Sequence, residues 1–314
     1  MKRLFALISA ITACLVVDVA LAASPTHQLT VKGSDTMVHL VTAWAEAYMD
    51  KDNEIDISVS GGGSGTGIAA LINKTTDICA SSRDIKKEEK EQAEKQGVSP
   101  TETRVALDGL AIVVHPSNPI NELTMEQVKK IYLGEYTNWK DLGGSDTSIV
   151  ALSRESSSGT YVFFQEHVLG KKDYANTVRL MPATATIVQS VASDKSSVGY
   201  VGLGYATQAK AKVKILPIKA DDKAEAILPS KETVLSGRYS IARPLFLYTD
   251  GLVEVKNAAG DMLEREEMIR WLGEDVALSP QALVERIYAR VTQYAGTSEL
   301  EDDVAALAIR VLDG

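Results

Sequence analysis

Residues 29–82 read LTVKGSDTMVHLVTAWAEAYMDKDNEIDISVSGGGSGTGIAALINKTTDICASS. The run LTVKGS alternates like a strand and ends in glycine. MVHLVTAWAEAYMDK carries its apolar residues at helical spacing, IDISVS alternates again, GTGIAALINKT is a short helix and DICASS a third strand. Strands that alternate with helices in this way form a parallel sheet covered by helices, so this stretch places the chain in the α/β class.

Further along, LAIVVHP, SIVALSRE and SSVGYVGLGY read as strands, with TMEQVKKIYLG and GTYVFFQEHVLG as helices between them. Two such units imply two lobes. The outbound link is expected at Asp108-Gly109 and the return between Gly199 and Gly204. The expected division is a first lobe of residues 27–108 plus 203–251, a second lobe of 109–202, and a hinged cleft between them.

The ends of the chain read differently. Residues 1–22 place Lys2 and Arg3 before an apolar run that closes on Ala20-Leu21-Ala22, the pattern of an export signal cleaved after Ala22. Ile11-Thr12-Ala13-Cys14 is a weaker match to a lipid-attachment motif, because the apolar run continues past Cys14. No later stretch reaches the roughly 20 apolar residues of a spanning helix. With the leader removed only Cys79 remains, which excludes an internal disulfide and reads as a small buried hydrophobe.

The 314 residues carry a formal charge of −9, which argues against nucleic acid. An anion would have to be held by local dipoles and one or two placed cations. Four polar clusters stand where strands end and helices begin: Gly33-Ser34-Asp35-Thr36, Gly61 to Gly67, Ser81-Ser82-Arg83-Asp84, and Ser153 to Thr160 (SRESSSGT). Each alone is what an ordinary helix N-cap looks like, and GGGSGTG lacks the Lys-Ser/Thr ending of a nucleotide loop. Their recurrence is the signal. In a parallel sheet such clusters gather at the carboxyl ends of the strands, where unpaired helix N–H groups favour anions. Arg154 adds a guanidinium fork, Ser158 and Thr160 add hydroxyls, and a carboxylate such as Asp84 or Asp35 could accept a proton from phosphate that sulfate does not have.

In this order GSDT, GGGSGTG, SSRD, LDGLAIVVHPSNP, LTMEQVKKIYLGEYTNW, SRESSSGT and GRYSIARPLFLYTDG resemble the phosphate-binding proteins of bacterial ABC transporters, over about residues 29–251. The resemblance implies a type II periplasmic-binding fold, a monomer that delivers phosphate to a membrane permease, no cofactor and no catalysis. It implies ligand contacts from Ser34, Thr36, the amide of Met37, Ser64, Arg154, Ser158, Gly159 and Thr160, with Asp84 as proton acceptor. Some relatives place an acid two positions after the arginine to hold it. Here Ser156 stands there and the acid is Glu155, which leaves the partner of Arg154 open.

From residue 252 the chain changes: Lys gives way to Arg, and the segment 252–314 is strongly acidic. This mostly helical tail resembles the end of a PPM-type metal-dependent phosphatase of the sigma-regulator class. By that resemblance Asp250 with Asp302 or Asp303 are vestigial metal ligands. The family's earlier acidic motifs are absent, so the tail reads as a fragment fused at the shared string LFLYTDG. Alternatively it is a divergent terminal helix pair covering the first lobe, with Ser279-Pro280 opening its second helix. The competing functions are therefore phosphatase activity from the tail, or binding of another oxyanion in adhesion or sensing. His27, His39, His115 and His167 lack ligand spacing, and Trp44 and Trp139 read as packing residues.

Overall fold

The computed structural model describes residues 27–52 and 54–250, then 257, 259, 263, 267, 270, 271, 274 and 280–296. In chain order the elements are β1 (His27–Gly33), α1 (Val38–Met49), β2 (Ile55–Ser60), α2 (Ser64–Ile72), β3 (Ile78–Ser81), α3 (Lys87–Lys95) and β4 (Pro100–Val114). There follow β5 (Leu123–Thr124), α4 (Met125–Tyr132), β6 (Val150–Arg154), α5 (Gly159–His167), β7 (Arg179–Met181), α6 (Thr184–Ser193) and β8 (Ser197–Gly202). The last are α7 (Leu203–Gln208), β9 (Lys214–Leu216), β10 (Ile218–Lys219), α8 (Lys231–Leu235), β11 (Ala242–Asp250) and α9 (Pro280–Ala295).

The opening stretch forms the expected βαβαβ unit. β1 lies between β2 and β3, parallel to both. β11 then pairs antiparallel with β3 and with the first part of β4. Alternation along β11 supplies both faces of this sheet: Phe246 and Tyr248 pack with Ile68, Leu71 and Ile85, whereas Leu245 and Leu247 pack with Val31, Val41 and Ile78.

β4 is long because it serves both lobes. Its residues up to Gly109 pair with β11, and from Leu110 to Val114 it pairs with β8 and β9. β6 continues this second sheet, parallel to β8 and β7. Leu110, Ile112 and Val114 enter one core with Tyr132, Phe164 and Tyr200, and Ala111 and Val113 enter the other with Ile187 and Val191.

β4 changes partners between Gly109 and Leu110, and the chain does not turn back at the expected Gly199–Gly204. Residues 203–241 belong to the second lobe: β9 pairs with β4, β10 pairs with β5, and Leu216, Ile218, Val234, Tyr239 and Ile241 share the core of Leu110 and Phe164. The chain returns at Ala242, directly opposite Gly109. The glycines of GYVGLG suggest a turn between lobes, yet every residue of β8 is buried. Gly199 is small because Ile187 packs on it.

In the tail, α9 begins at Pro280, and Leu263, Trp271, Ile287 and Val291 form a small separate core. Burial raises the Tyr48 phenol on α1, with Asp52 and then Glu285 on α9 adding to the shift. Among the described residues no helix is long and apolar enough to cross a membrane.

Candidate functional site

Three serines from three separate loops of the first lobe meet beneath the cleft. Ser34 follows β1, Ser64 opens α2 and Ser82 follows β3; all are buried. Ser34 Oγ donates to Ser82 Oγ at 2.9 Å, Ser64 Oγ and Ser82 Oγ are 3.2 Å apart, and the Ser82 amide donates to Ser64 Oγ at 3.0 Å.

The second lobe closes on them with the start of α5. Ser158 caps that helix, its Oγ accepting from Thr160 N at 3.2 Å. Thr160 Oγ1 meets Thr36 Oγ1 across the cleft at 2.8 Å, and Gly65 N donates to Ser157 O at 2.9 Å. The approach is tight enough to exclude side chains: Gly63 has φ of 105°, and a Cβ there would stand 2.6 Å from Ser157 O. Gly159 is likewise packed against Ser64 and Ser82.

Arg154 ends β6 and is 2% exposed. Its Nε donates to Met181 O at 3.3 Å, Nη2 to Pro182 O at 2.9 Å, and Nη1 to Thr184 Oγ1 at 2.8 Å and to Asp35 Oδ2 at 3.1 Å. Burial pushes the guanidinium down from its ordinary value and Asp35 pulls it back. Glu155 and Ser156 are exposed. The partner left open by the sequence is therefore Asp35, which reaches over from the other lobe.

Most of the sequence-derived set converges here: Ser34, Thr36, Ser64, Arg154, Ser158, Gly159 and Thr160. Two members stand apart. The Met37 amide donates to Ser34 O at 2.9 Å and its side chain is fully buried in the first lobe. Asp84 is exposed and outside the hydrogen-bonded serine cluster, but it lines one pocket with Ser82 and Arg243. Its neighbour Arg83 pairs with Glu89 at 2.8 and 2.6 Å and also donates to Asp84 O.

Three further residues escaped the sequence reading. Ser82 was hidden by its own motif. Arg243 and Asp108 lie opposite each other on β11 and β4, where an isolated charge in an apolar strand was the available signal. Arg243 Nη2 donates to Asp108 Oδ2 at 3.1 Å and to Thr160 Oγ1 at 2.9 Å, with Thr36 Oγ1 at 3.5 Å. Burial raises the Asp108 carboxyl, opposed by Arg243 and by the Leu203 N–H.

The other singled-out residues have ordinary surroundings. Cys79 is buried and its thiol pushed up to about 12, chiefly by burial. Trp139 is buried and its Nε1 donates to Ser196 O, and Trp44 packs on the first-lobe core. His115 bonds Ser117, His167 lies against Ser240 O and His39 against the Tyr205 ring. Asp250 accepts from Ser99 N at 2.8 Å and faces Lys74 at 3.8 Å. Asp302, Asp303 and Ser279 lie outside the described residues.

Residues 20–260 match the PBP superfamily domain, and residues 241–312 match Stage II sporulation protein E. The phosphate-binding protein PstS of Staphylococcus haemolyticus is 39% identical over 69% of this chain and 69% of its own length. PstS of Pseudomonas aeruginosa is 34% identical over 77% of this chain and 80% of its own. A Clostridium perfringens chain crystallised with bound phosphate, described as a phosphate ABC transporter substrate-binding protein, is 28% identical with a TM-score of 0.63. That alignment covers 83% of this chain and 97% of the other. A two-lobed sheet crossed at β4 and β11, with its polar loops closing on one cleft, accords with these matches: the chain belongs to the PBP superfamily, among the phosphate-binding proteins PstS.

Proposed function

We propose that this chain is the exported binding component of an ABC phosphate transporter, capturing inorganic phosphate between its lobes and presenting it to a membrane permease. The observation that carries this reading is the convergence of hydroxyls and a buried guanidinium from both lobes on one small space. Ser34, Thr36, Ser64 and Ser82 face Arg154, Ser158, Gly159 and Thr160. An anion bonded to both halves stabilises the closed form over the open one, which is how binding is turned into a shape a permease can read.

The ligand is held mainly by neutral donors. Hydroxyls suit phosphate because each can donate to a bare oxygen or accept from a protonated one. Ser82 links Ser34 and Ser64, and Asp84, which lines one pocket with Ser82, is the carboxylate able to accept the proton of phosphate. Binding and release are the whole task. Residues 1–22 act as the export signal, removed after Ala22, and the mature protein works as a monomer without nucleic acid.

Isothermal titration of the mature protein with phosphate and with sulfate tests this, alongside a manganese-dependent hydrolysis assay on the same preparation. The expected result is tight, phosphate-selective binding without turnover. The match of residues 241–312 to a sporulation protein gives the phosphatase reading its one support. Turnover that disappears in Asp250→Ala, in a protein that does not bind phosphate, would reverse the assignment.

A further inference from the structure

We propose that Arg243 is a second guanidinium of the anion site, held at the hinge and supplying most of the site's uncommitted charged donors. The inference rests on the phosphate reading above and adds a residue to it. A guanidinium has five N–H groups. The four hydrogen bonds of Arg154 to Met181, Pro182, Thr184 and Asp35 leave it a single N–H for a ligand. Arg243 is in the opposite position. Among the described residues only its Nη2 has acceptors, whereas Nε and Nη1, three N–H groups in all, are buried and have no partner there.

Buried donors without acceptors are costly and rare in folded proteins, more so when charged. A purely structural hinge ion pair would satisfy them by matching the guanidinium fork to both carboxylate oxygens. Asp108 does not do so. Its Oδ2 takes Nη2 and its Oδ1 accepts from Leu203 N at 3.1 Å, which leaves the rest of the fork facing elsewhere. The guanidinium carbon also lies over the Phe163 ring, 5.3 Å from its centroid.

What the guanidinium adjoins identifies the acceptor: Arg243 lines one pocket with Ser82 and Asp84 of the first lobe and Phe163 of the second. Nη2 touches Thr160 Oγ1 and approaches Thr36 Oγ1, the pair that meets across the cleft. An oxyanion seated between those hydroxyls lies beside Arg243. Because Arg243 stands on β11 opposite Asp108 on β4, the two crossing strands, its ligand bonds tie occupancy to the hinge itself.

Phosphate titrations at pH 6 and pH 8 on wild type, Arg243→Lys, Asp108→Asn and the double variant Asp108→Asn/Arg243→Met test the proposal. The double variant removes both hinge charges, so it strands no buried carboxylate. It is expected to lose about 10- to 100-fold in affinity, the worth of one or two charged hydrogen bonds. Its ligand-free thermal midpoint should stay within a few degrees of wild type. Asp108→Asn alone, which keeps the guanidinium, should retain most of the affinity. Arg243→Lys keeps the charge but not the fork, and should fall at least about fivefold. Wild type should prefer the dianion at pH 8 over the monoanion at pH 6, and the double variant should lose much of that preference, which a general loosening of the fold would not alter. A folded Lys or double variant that binds like wild type at both pH values overturns the proposal. Failure of wild type itself to bind phosphate overturns the functional reading instead.

Discussion

Asp35 on the first lobe and Arg154 on the second meet across the cleft at 3.1 Å, and the same carboxylate oxygen accepts from Thr184 N, at the start of α6, at 2.7 Å. One carboxylate thereby joins a guanidinium and a helix N-terminus of the opposite lobe, both of which favour negative charge. Two effects of Asp35→Asn compete. Removing a negative charge near an anion site would by Coulomb's law tighten binding. Removing a half-buried, hydrogen-bonded carboxylate loosens the closed form and leaves the buried Arg154 uncompensated, at a cost of about 2–5 kcal/mol. The second is larger. Asp35→Asn is expected to weaken phosphate binding at least tenfold and to enlarge the phosphate-bound particle in X-ray scattering; tighter binding would show that Asp35 is a repulsive neighbour.

Gly159 offers a cleaner test of closure. A Cβ at this position would stand 2.7 Å from Ser82 Oγ and 2.9 Å from Ser64 Cβ, and closer still to Ser64 Oγ. These contacts all lie between lobes, so Gly159→Ala adds a methyl group that obstructs closure while leaving each core untouched. Phosphate affinity should fall by more than tenfold with an unchanged ligand-free melting midpoint. A normal titration curve would mean that the ligand is bound without this approach of α5 to the serines.

The serine cluster separates two assignments of selectivity. Asp84 is exposed, whereas Ser82 is buried and bonded to both Ser34 and Ser64. Asp84 nevertheless lines one pocket with Ser82 and Arg243, so Asp84→Asn should lower the phosphate-to-sulfate affinity ratio by removing the acceptor for the proton of phosphate. Ser82→Ala removes the link that orients its two neighbours and should lower phosphate affinity by about 1–2 kcal/mol, roughly 5- to 30-fold. A competition titration reads both, and unchanged selectivity in Asp84→Asn would remove that residue from the site.

The α/β lobes and most of the cleft were legible because strand and helix periods, and hydroxyls before helices, are local signals. What was not legible depends on pairing between distant strands. The sequence offers the glycines of 199–204 as the return point, and only the register of β4 with β8 and β11 shows that the chain returns at Ala242. The same holds for Arg154, whose partner lies 119 residues away rather than two. In SSRD the order of residues was plain, but that Arg83 chooses Glu89 as its partner was not.

That choice carries a pH dependence. Burial alone would raise the Glu89 carboxyl, but the hydrogen bonds from Arg83 and from Lys86 N outweigh it and hold the group below its ordinary value. The Lys86 bond, 2.8 Å, also satisfies a free amide at the start of α3. Because the folded-state value is depressed, the unfolded chain takes up the proton first as pH falls. The stabilisation is complete above the unfolded carboxylate value, about 4.3, and is lost as pH drops through the lower folded value. Glu89→Gln should therefore destabilise the protein by about 1–2 kcal/mol at pH 7. The gap between the two urea midpoints should narrow steadily below pH 4.5 or so, because only wild type still has this carboxylate to protonate. A gap that persists undiminished at the lowest pH where both proteins fold would mean that Glu89 acts through packing.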